Sequence, residues 1–188
     1  SLADKKIIYH PPTDEAGNPQ YRFVTVGRFS VEKNHENLVR AFAKFQKIHT
    51  GAYLYLLGDG PLREKMVQLT AELDIADHVI MPGNVRNPFA VLENCDCFVL
   101  PSLHEGQPMV LLEARCLKMP IIVSDFSSVQ GSLVENGQLL IGTTEDEIFR
   151  GMMEFAAGNV PADYCFDPMV YNQRTGQVLL KLLEREEQ

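Results

Sequence analysis

Short apolar runs alternate with amphipathic stretches along this chain, and that alternation limits what it can fold into. YRFVTVG (21–27) is rich in β-formers and ends in glycine. AYLYLLG (52–58), HVIMPG (78–83), CFVLPS (97–102), PIIVSD (120–125) and the shorter QLLIG (138–142) follow. Between them, residues 35–49 carry Leu38, Ala41, Phe42, Phe45 and Ile48 in a helical stripe. Residues 61–74, 88–95, 109–118, 145–157 and 169–187 also read as helices, with Pro61 suited to the first turn of its helix. Strands apolar on both faces and alternating with helices predict a doubly wound α/β domain: a parallel sheet of about six strands, covered on both sides. Such sheets bind ligands beyond the carboxyl ends of their strands. The glycines and polar residues gather at those ends, in GRFS (27–30), GDGP (58–61), PGNV (82–85), PSLHEG (101–106) and SDFSS (124–128).

Composition narrows the function. The chain has 188 residues, 45% hydrophobic and 22% charged, enough for one domain with a core rather than a disordered segment. Net charge is −8, and Lys and Arg form no dense block. This argues against nonspecific binding to nucleic acid or to an anionic membrane. No apolar run reaches the length of a membrane span, and no signal peptide is visible. The chain starts at Ser1 rather than Met, as a fragment of a longer protein would. Residues 1–20, proline-rich from His10 to Gln20, read as a linker, residues 21–168 as the domain, and 169–188 as a C-terminal helix. Cys95 and Cys97 form a CxC within an apolar stretch; with no second pair at zinc spacing, they read as small core residues.

Three stretches carry candidate chemistry. In VGRFSVEKN (26–34), Gly27 lets a ligand approach the backbone, and Arg28 and Lys33 precede a helix start that favours anions. They suit a pyrophosphate, or they are two solvated surface charges; Asn34 reads as the helix N-cap. Gly58, Asp59 and Gly60 form a tight turn or line a nucleotide pocket; Arg63 stands where a GxGxxG fingerprint needs glycine. In LHEGQPMVLLEAR (103–115), Pro108 favours a helix start, which leaves Glu105 in the preceding loop and Glu113 inside the helix. Gly106 and the N–H groups near Gln107, Met109 and Val110 face the rim, while Val110, Leu111, Leu112 and Ala114 anchor the helix. A carboxylate in such a helix needs a partner. A ribose diol would serve Glu113, and so would Arg115 or another cation; Glu105 either meets a ligand or complements the helix dipole. His104 reads as a hydrogen-bonding or packing residue rather than a general base.

Taken together, GRFSVEKN, GDGP, PGNV and EGQPMVLLEA, in that order, resemble the family 4 (group 1) retaining glycosyltransferases over about residues 20–157. The match is to the C-terminal, donor-binding half of their two-domain GT-B fold, a Rossmann-like domain. The resemblance implies that Arg28 and Lys33 hold the donor diphosphate and stabilise its charge as it leaves. It implies that Glu113 binds the ribose hydroxyls and that Glu105 acts at the donor sugar, near the reacting face. Gly106, Gln107, Met109 and Val110 would line the sugar and phosphate site; Asn84, Val85 and Gly58–Gly60 would border the base. The donor implied is a UDP- or GDP-sugar, with no metal and no further cofactor. Gln107 and Pro108 depart from the EGFG common in the family, which bears on donor choice. The EGQPMVLLEA form looks like members that build cell-surface polymers.

The resemblance also implies a partner: an N-terminal acceptor-binding domain of the same chain. The expected location is the cytoplasm, with any membrane contact, at the inner face, carried by that missing half. The isolated fragment is expected to bind nucleotide and transfer little or no sugar. Two other readings stay open. One is half of an NDP-sugar epimerase, and the other is a non-catalytic nucleotide-binding α/β module.

Overall fold

The computed structural model of the chain describes residues 13, 17, 20–106, 109–125, 138–160, 162 and 167–169. Among these, β1 (Arg22–Val26), β2 (Tyr53–Leu57), β3 (Val79–Gly83), β4 (Cys97–Leu100), β5 (Ile121–Ser124) and β6 (Gln138–Ile141) form one sheet. Its order is β3-β2-β1-β4-β5-β6, and every neighbouring pair is parallel. The chain leaves β1 toward β2 and β3 on one side, then returns to place β4 on the other. That reversal makes the carboxyl ends of β1 and β4 the topological switch point, near which sheets of this kind bind ligands. The helices are α1 (His35–Ile48), α2 (Arg63–Glu72), α3 (Phe89–Leu92), α4 (Met109–Cys116) and α5 (Glu145–Ala156).

The alternation within each strand divides the core in two. Phe23, Leu54, Cys97, Val99 and Ile122 face α1, α2 and α5, where Leu38, Phe42, Phe45, Met66, Ile148 and Phe155 are buried. Val24, Phe98, Leu100, Ile121 and Val123 face α3 and α4, meeting Leu92, Leu111 and Ala114. Successive side chains point to opposite faces, so each strand serves both layers. Cys97 is buried in the first layer as a free thiol; Cys95 and Cys116 are also free. Burial pushes the Cys95 thiol up to about 12, in keeping with a packing role.

The helix starts differ in detail from the sequence reading. Pro61 lies in the turn before α2. Asn34 occupies the N-cap position of α1 but makes no side-chain cap; its backbone is left-handed, φ 55° and ψ 32°. Side-chain capping needs an extended N-cap residue, and the left-handed turn sends the amide elsewhere. Its Nδ2 donates to Pro101 O at 3.0 Å and Thr143 O at 2.8 Å. Residues 107–108, including Gln107, lie outside the described residues, as do nearly all of the 1–20 linker and of the 169–187 helix. No helix among the described residues is long and apolar enough to cross a membrane.

Candidate functional site

Three loops lie side by side at the carboxyl edge of the sheet. Gly27 N–H donates to Leu57 O at 2.9 Å, and Gly58 N–H donates to Gly83 O at 3.0 Å. Phe29 N–H donates to Asp59 O, and Phe29 O accepts from Leu62 N–H, both at 3.0 Å. This contact explains the paired glycines of GDGP. Gly58 sits at φ 131°, and a Cβ there would overlap Gly27 O; a Cβ on Gly60 would lie 2.6 Å from Phe29 O. Both are glycine because a neighbouring backbone occupies the space.

Where these loops meet, a cleft of about 390 Å³ opens. Gly27, Arg28, Gly58, Asp59, Asn84 and Val85, all candidates in the sequence, line it, with Val26, Leu57 and Pro88 completing an apolar wall. Gly60 is turned into the Phe29 contact and is not part of the lining. Arg28 is exposed, and its guanidinium makes no hydrogen bond or salt bridge among the described residues. Asp59 holds the turn through Gly60 N–H, which donates to Oδ1 at 2.7 Å.

Beside the cleft stands a second group. Lys33 leaves the short turn Val31–Lys33, and its stem passes over Gly27, whose Cβ would meet Lys33 Cδ at 3.4 Å. Its Nζ donates to Glu105 Oε1 at 2.5 Å. Ser102 Oγ donates to the same oxygen at 2.7 Å. The two side chains are largely covered, 22% exposed for Lys33 and 11% for Glu105. Leu103 N–H donates to Glu32 O at 2.8 Å and ties the loops after β1 and β4 together. The structure thus brings Lys33 and Glu105 into direct contact, a pairing that their separate roles in the sequence do not suggest.

Glu113 stands on α4, between buried Leu111 and Ala114. It is half-buried, and its carboxylate has no hydrogen bond or ion pair among the described residues. The pairing with Arg115 left open by the sequence is absent. Val26 and Val85 of the cleft wall pack against the same apolar cluster that holds Leu111 and Ala114, so α4 and the cleft share one face of the sheet. Gly106 and Met109 are exposed at the start of this helix, and Val110 is half-buried. His104 is exposed and bonds to no neighbour among the described residues. No group of three or more His, Cys, Asp or Glu positioned for a metal occurs among the described residues.

Sequence reasoning missed Ser102 and Ser124, both fully buried at strand ends. Ser124 Oγ donates to Ser102 O at 2.5 Å. Their only signal in the sequence is a serine directly after an apolar strand. It also missed the span of Asn34, which links the loops after β1, β4 and β6.

Comparison with known proteins agrees with this architecture. The family model for "Glycosyl transferases group 1" matches residues 11–159. A lipopolysaccharide 1,6-galactosyltransferase of Salmonella typhimurium is 30% identical over 178 residues, 85% of this chain and 48% of that protein. An uncharacterised glycosyltransferase of Methanocaldococcus jannaschii is 36% identical over 103 residues, 55% of this chain and 25% of its own length. The chain therefore spans half or less of these relatives. A solved lipopolysaccharide outer core galactosyltransferase, in apo form, superimposes with a TM-score of 0.69 at 26% identity, over 96% of this chain and 57% of that one. The pneumococcal O-GlcNAc transferase solved with UDP and GlcNAc shares the fold, with a TM-score of 0.66 at 21% identity, over 79% of this chain and 31% of that one. These neighbours are GT-B glycosyltransferases. On the family match and this shared architecture, the chain belongs to the group 1 glycosyl transferases.

Proposed function

We propose that this chain is the donor-binding half of a retaining glycosyltransferase that moves a sugar from a nucleotide sugar to an acceptor hydroxyl. The observation that carries the reading is Glu113: a half-buried carboxylate on an otherwise apolar helix face, beside the cleft, without a partner among the described residues. A ribose diol would satisfy it, because one carboxylate accepts from two neighbouring hydroxyls. The apolar wall of Val26, Val85 and Pro88 suits the flat base, and Asn84 supplies a polar group at its edge.

The diphosphate would lie toward Arg28 and Lys33. Both cations sit where negative charge grows on the leaving nucleotide, and fixed positive charge there lowers the barrier. They supply that charge without a metal. Glu105, held against Lys33, would meet the donor sugar next to the phosphate. A cation and a carboxylate in contact suit groups that read adjacent parts of one ligand. The relatives in lipopolysaccharide synthesis and the neighbour solved with UDP and GlcNAc support a nucleotide sugar as donor and a cell-surface glycan as product. Acceptor binding, and any contact with the inner face of the membrane, would belong to a second, N-terminal domain of the full-length, cytoplasmic enzyme.

Calorimetry with UDP and GDP tests this. One of the two should bind, and Arg28→Ala or Glu113→Gln should weaken it by roughly tenfold, the loss of a charged hydrogen bond. Binding of neither nucleotide, or an affinity untouched by both substitutions, would falsify the site. The 188-residue chain should bind donor and transfer almost no sugar. Steady turnover by it would overturn the two-domain part of the reading.

A further inference from the structure

At the end of β4, one carboxylate oxygen collects donors from two elements. Glu105 Oε1 accepts from Lys33 Nζ at 2.5 Å and from Ser102 Oγ at 2.7 Å. Ser102 is wholly buried. Its own carbonyl accepts from Ser124 Oγ at 2.5 Å, and Ser124, at the end of β5, is also wholly buried. A longer contact of 3.2 Å runs from Ser124 Oγ to Leu100 O. A hydroxyl has one proton, and the shorter contact takes it.

Neither hydroxyl is required for packing, since alanine would fill nearly the same space. A buried hydroxyl is costly unless bonded, and both of these spend their bond on a chain of contacts ending at Glu105. The Lys33 ammonium rides on a flexible four-carbon stem and fixes the direction of that carboxylate less well than a short side chain in the same loop. Ser102 lies three residues from Glu105 in the same loop, and its orientation is set by the rigid sheet edge.

We propose that Ser102 is a positioning residue for Glu105, with Ser124 as its anchor, so that the carboxylate is aimed at the donor sugar before the donor arrives. The inference rests on the donor-binding reading above and adds the residues that make its sugar subsite selective. Preorganisation of this kind acts only on the ligand part that the aimed group touches. Loss of Ser102 should therefore affect the sugar and spare the nucleotide.

The test is calorimetry on the full chain with UDP, GDP, UDP-glucose, UDP-galactose and GDP-mannose. Ser102→Ala should bind the nucleoside diphosphate as the parent does and lose about three- to tenfold in affinity for the nucleotide sugar, the worth of one hydrogen bond. Ser124→Ala should show the same selective loss with the Ser102 hydroxyl still present, which covers the case of a poorly folding Ser102 variant. The pair Ser102→Ala with Glu105→Ala should lose no more than Glu105→Ala alone, because the two residues act as a unit. A merely structural serine would weaken nucleotide and nucleotide sugar alike. That outcome, an unchanged sugar affinity, or additive losses in the double variant would each overturn the proposal while leaving the donor-binding reading intact. A parent that binds none of the five ligands would instead sink the donor-binding reading, and this inference with it.

Discussion

His35 opens α1 with its ring 4.8 Å from Phe29 and its buried Nδ1 without a hydrogen-bond partner among the described residues. Burial first, and the nearby Lys33 ammonium second, push its pKa down from 6.5 to about 4. The unfolded chain therefore takes up this proton near pH 6.5 and the folded chain only near 4. Between those values the unfolded state binds more protons, so stability falls as the pH falls through that window. The slope is about 1.4 kcal/mol per pH unit, or on the order of 3 kcal/mol across the window. Urea midpoints measured from pH 7 to 4 should show this decline, and His35→Leu should flatten it. An equal decline in the variant would mean that other groups carry the acid sensitivity. The same residue shows how far a sequence can be read. GRFSVEKN marks His35 only as the first residue of a helix. Its burial comes from Phe29, which turns inward because the loop after β1 is bonded to the loop after β2.

At the level of elements, side chains stitch the loops together alongside the backbone bonds between them. Asn34 is the clearest case. Its two bonds, to the loops after β4 and β6, come from a residue in a left-handed turn at the start of α1. Asn tolerates that conformation better than most residues. Asn34→Ala should cost about 2–3 kcal/mol, from two lost hydrogen bonds and an alanine forced left-handed. Asn34→Gly should recover only the backbone share. Equal stability of both variants with the parent would show that the stitching is not energetic. The sequence identified Asn34 as a helix start, and the position was right. The direction of the side chain was not legible, because it depends on loops that lie 67 and 109 residues further along. α5, by contrast, lies where the sequence predicts a helix over 145–157, and its N-terminal signal is local. Thr144 and Glu147 form a reciprocal capping box within four consecutive residues.

Over the whole molecule, the central strand pair carries the site, and it has few register partners. β1 meets β4 through Phe23↔Cys97 and Val24↔Phe98. Asp96 reinforces the join. Its Oδ2 accepts from Arg22 N–H at 2.7 Å and from Arg22 Nε at 3.3 Å, and its own N–H donates to Arg22 O at 2.8 Å. Asp96 is 7% exposed, so removing its carboxylate takes the acceptor away from part-buried donors of Arg22. Asp96→Ala should lower the unfolding free energy by about 2–3 kcal/mol, read from denaturant titration. A loss below about 0.5 kcal/mol, the size of an ordinary surface change, would show that the β1–β4 join stands without it.

The sequence alone determined the class of fold, because the periodicity of a strand or a helix is local and survives without neighbours. It also determined which loops carry unusual residues, since glycine and paired charges at strand ends stand out against apolar runs. From these it named Gly27, Arg28, Gly58 and Asp59, and the family resemblance added Asn84 and Val85; all six line the cleft. Only the tertiary structure decided the rest. It placed β4 beside β1, set Lys33 against Glu105, turned Gly60 away from the cleft, and joined buried Ser102 to the Glu105 carboxylate with Ser124 bonded to the Ser102 carbonyl. Those outcomes depend on which loops become neighbours. Strand order sets that, and strand order is chosen by packing across the whole sheet, which no local pattern records.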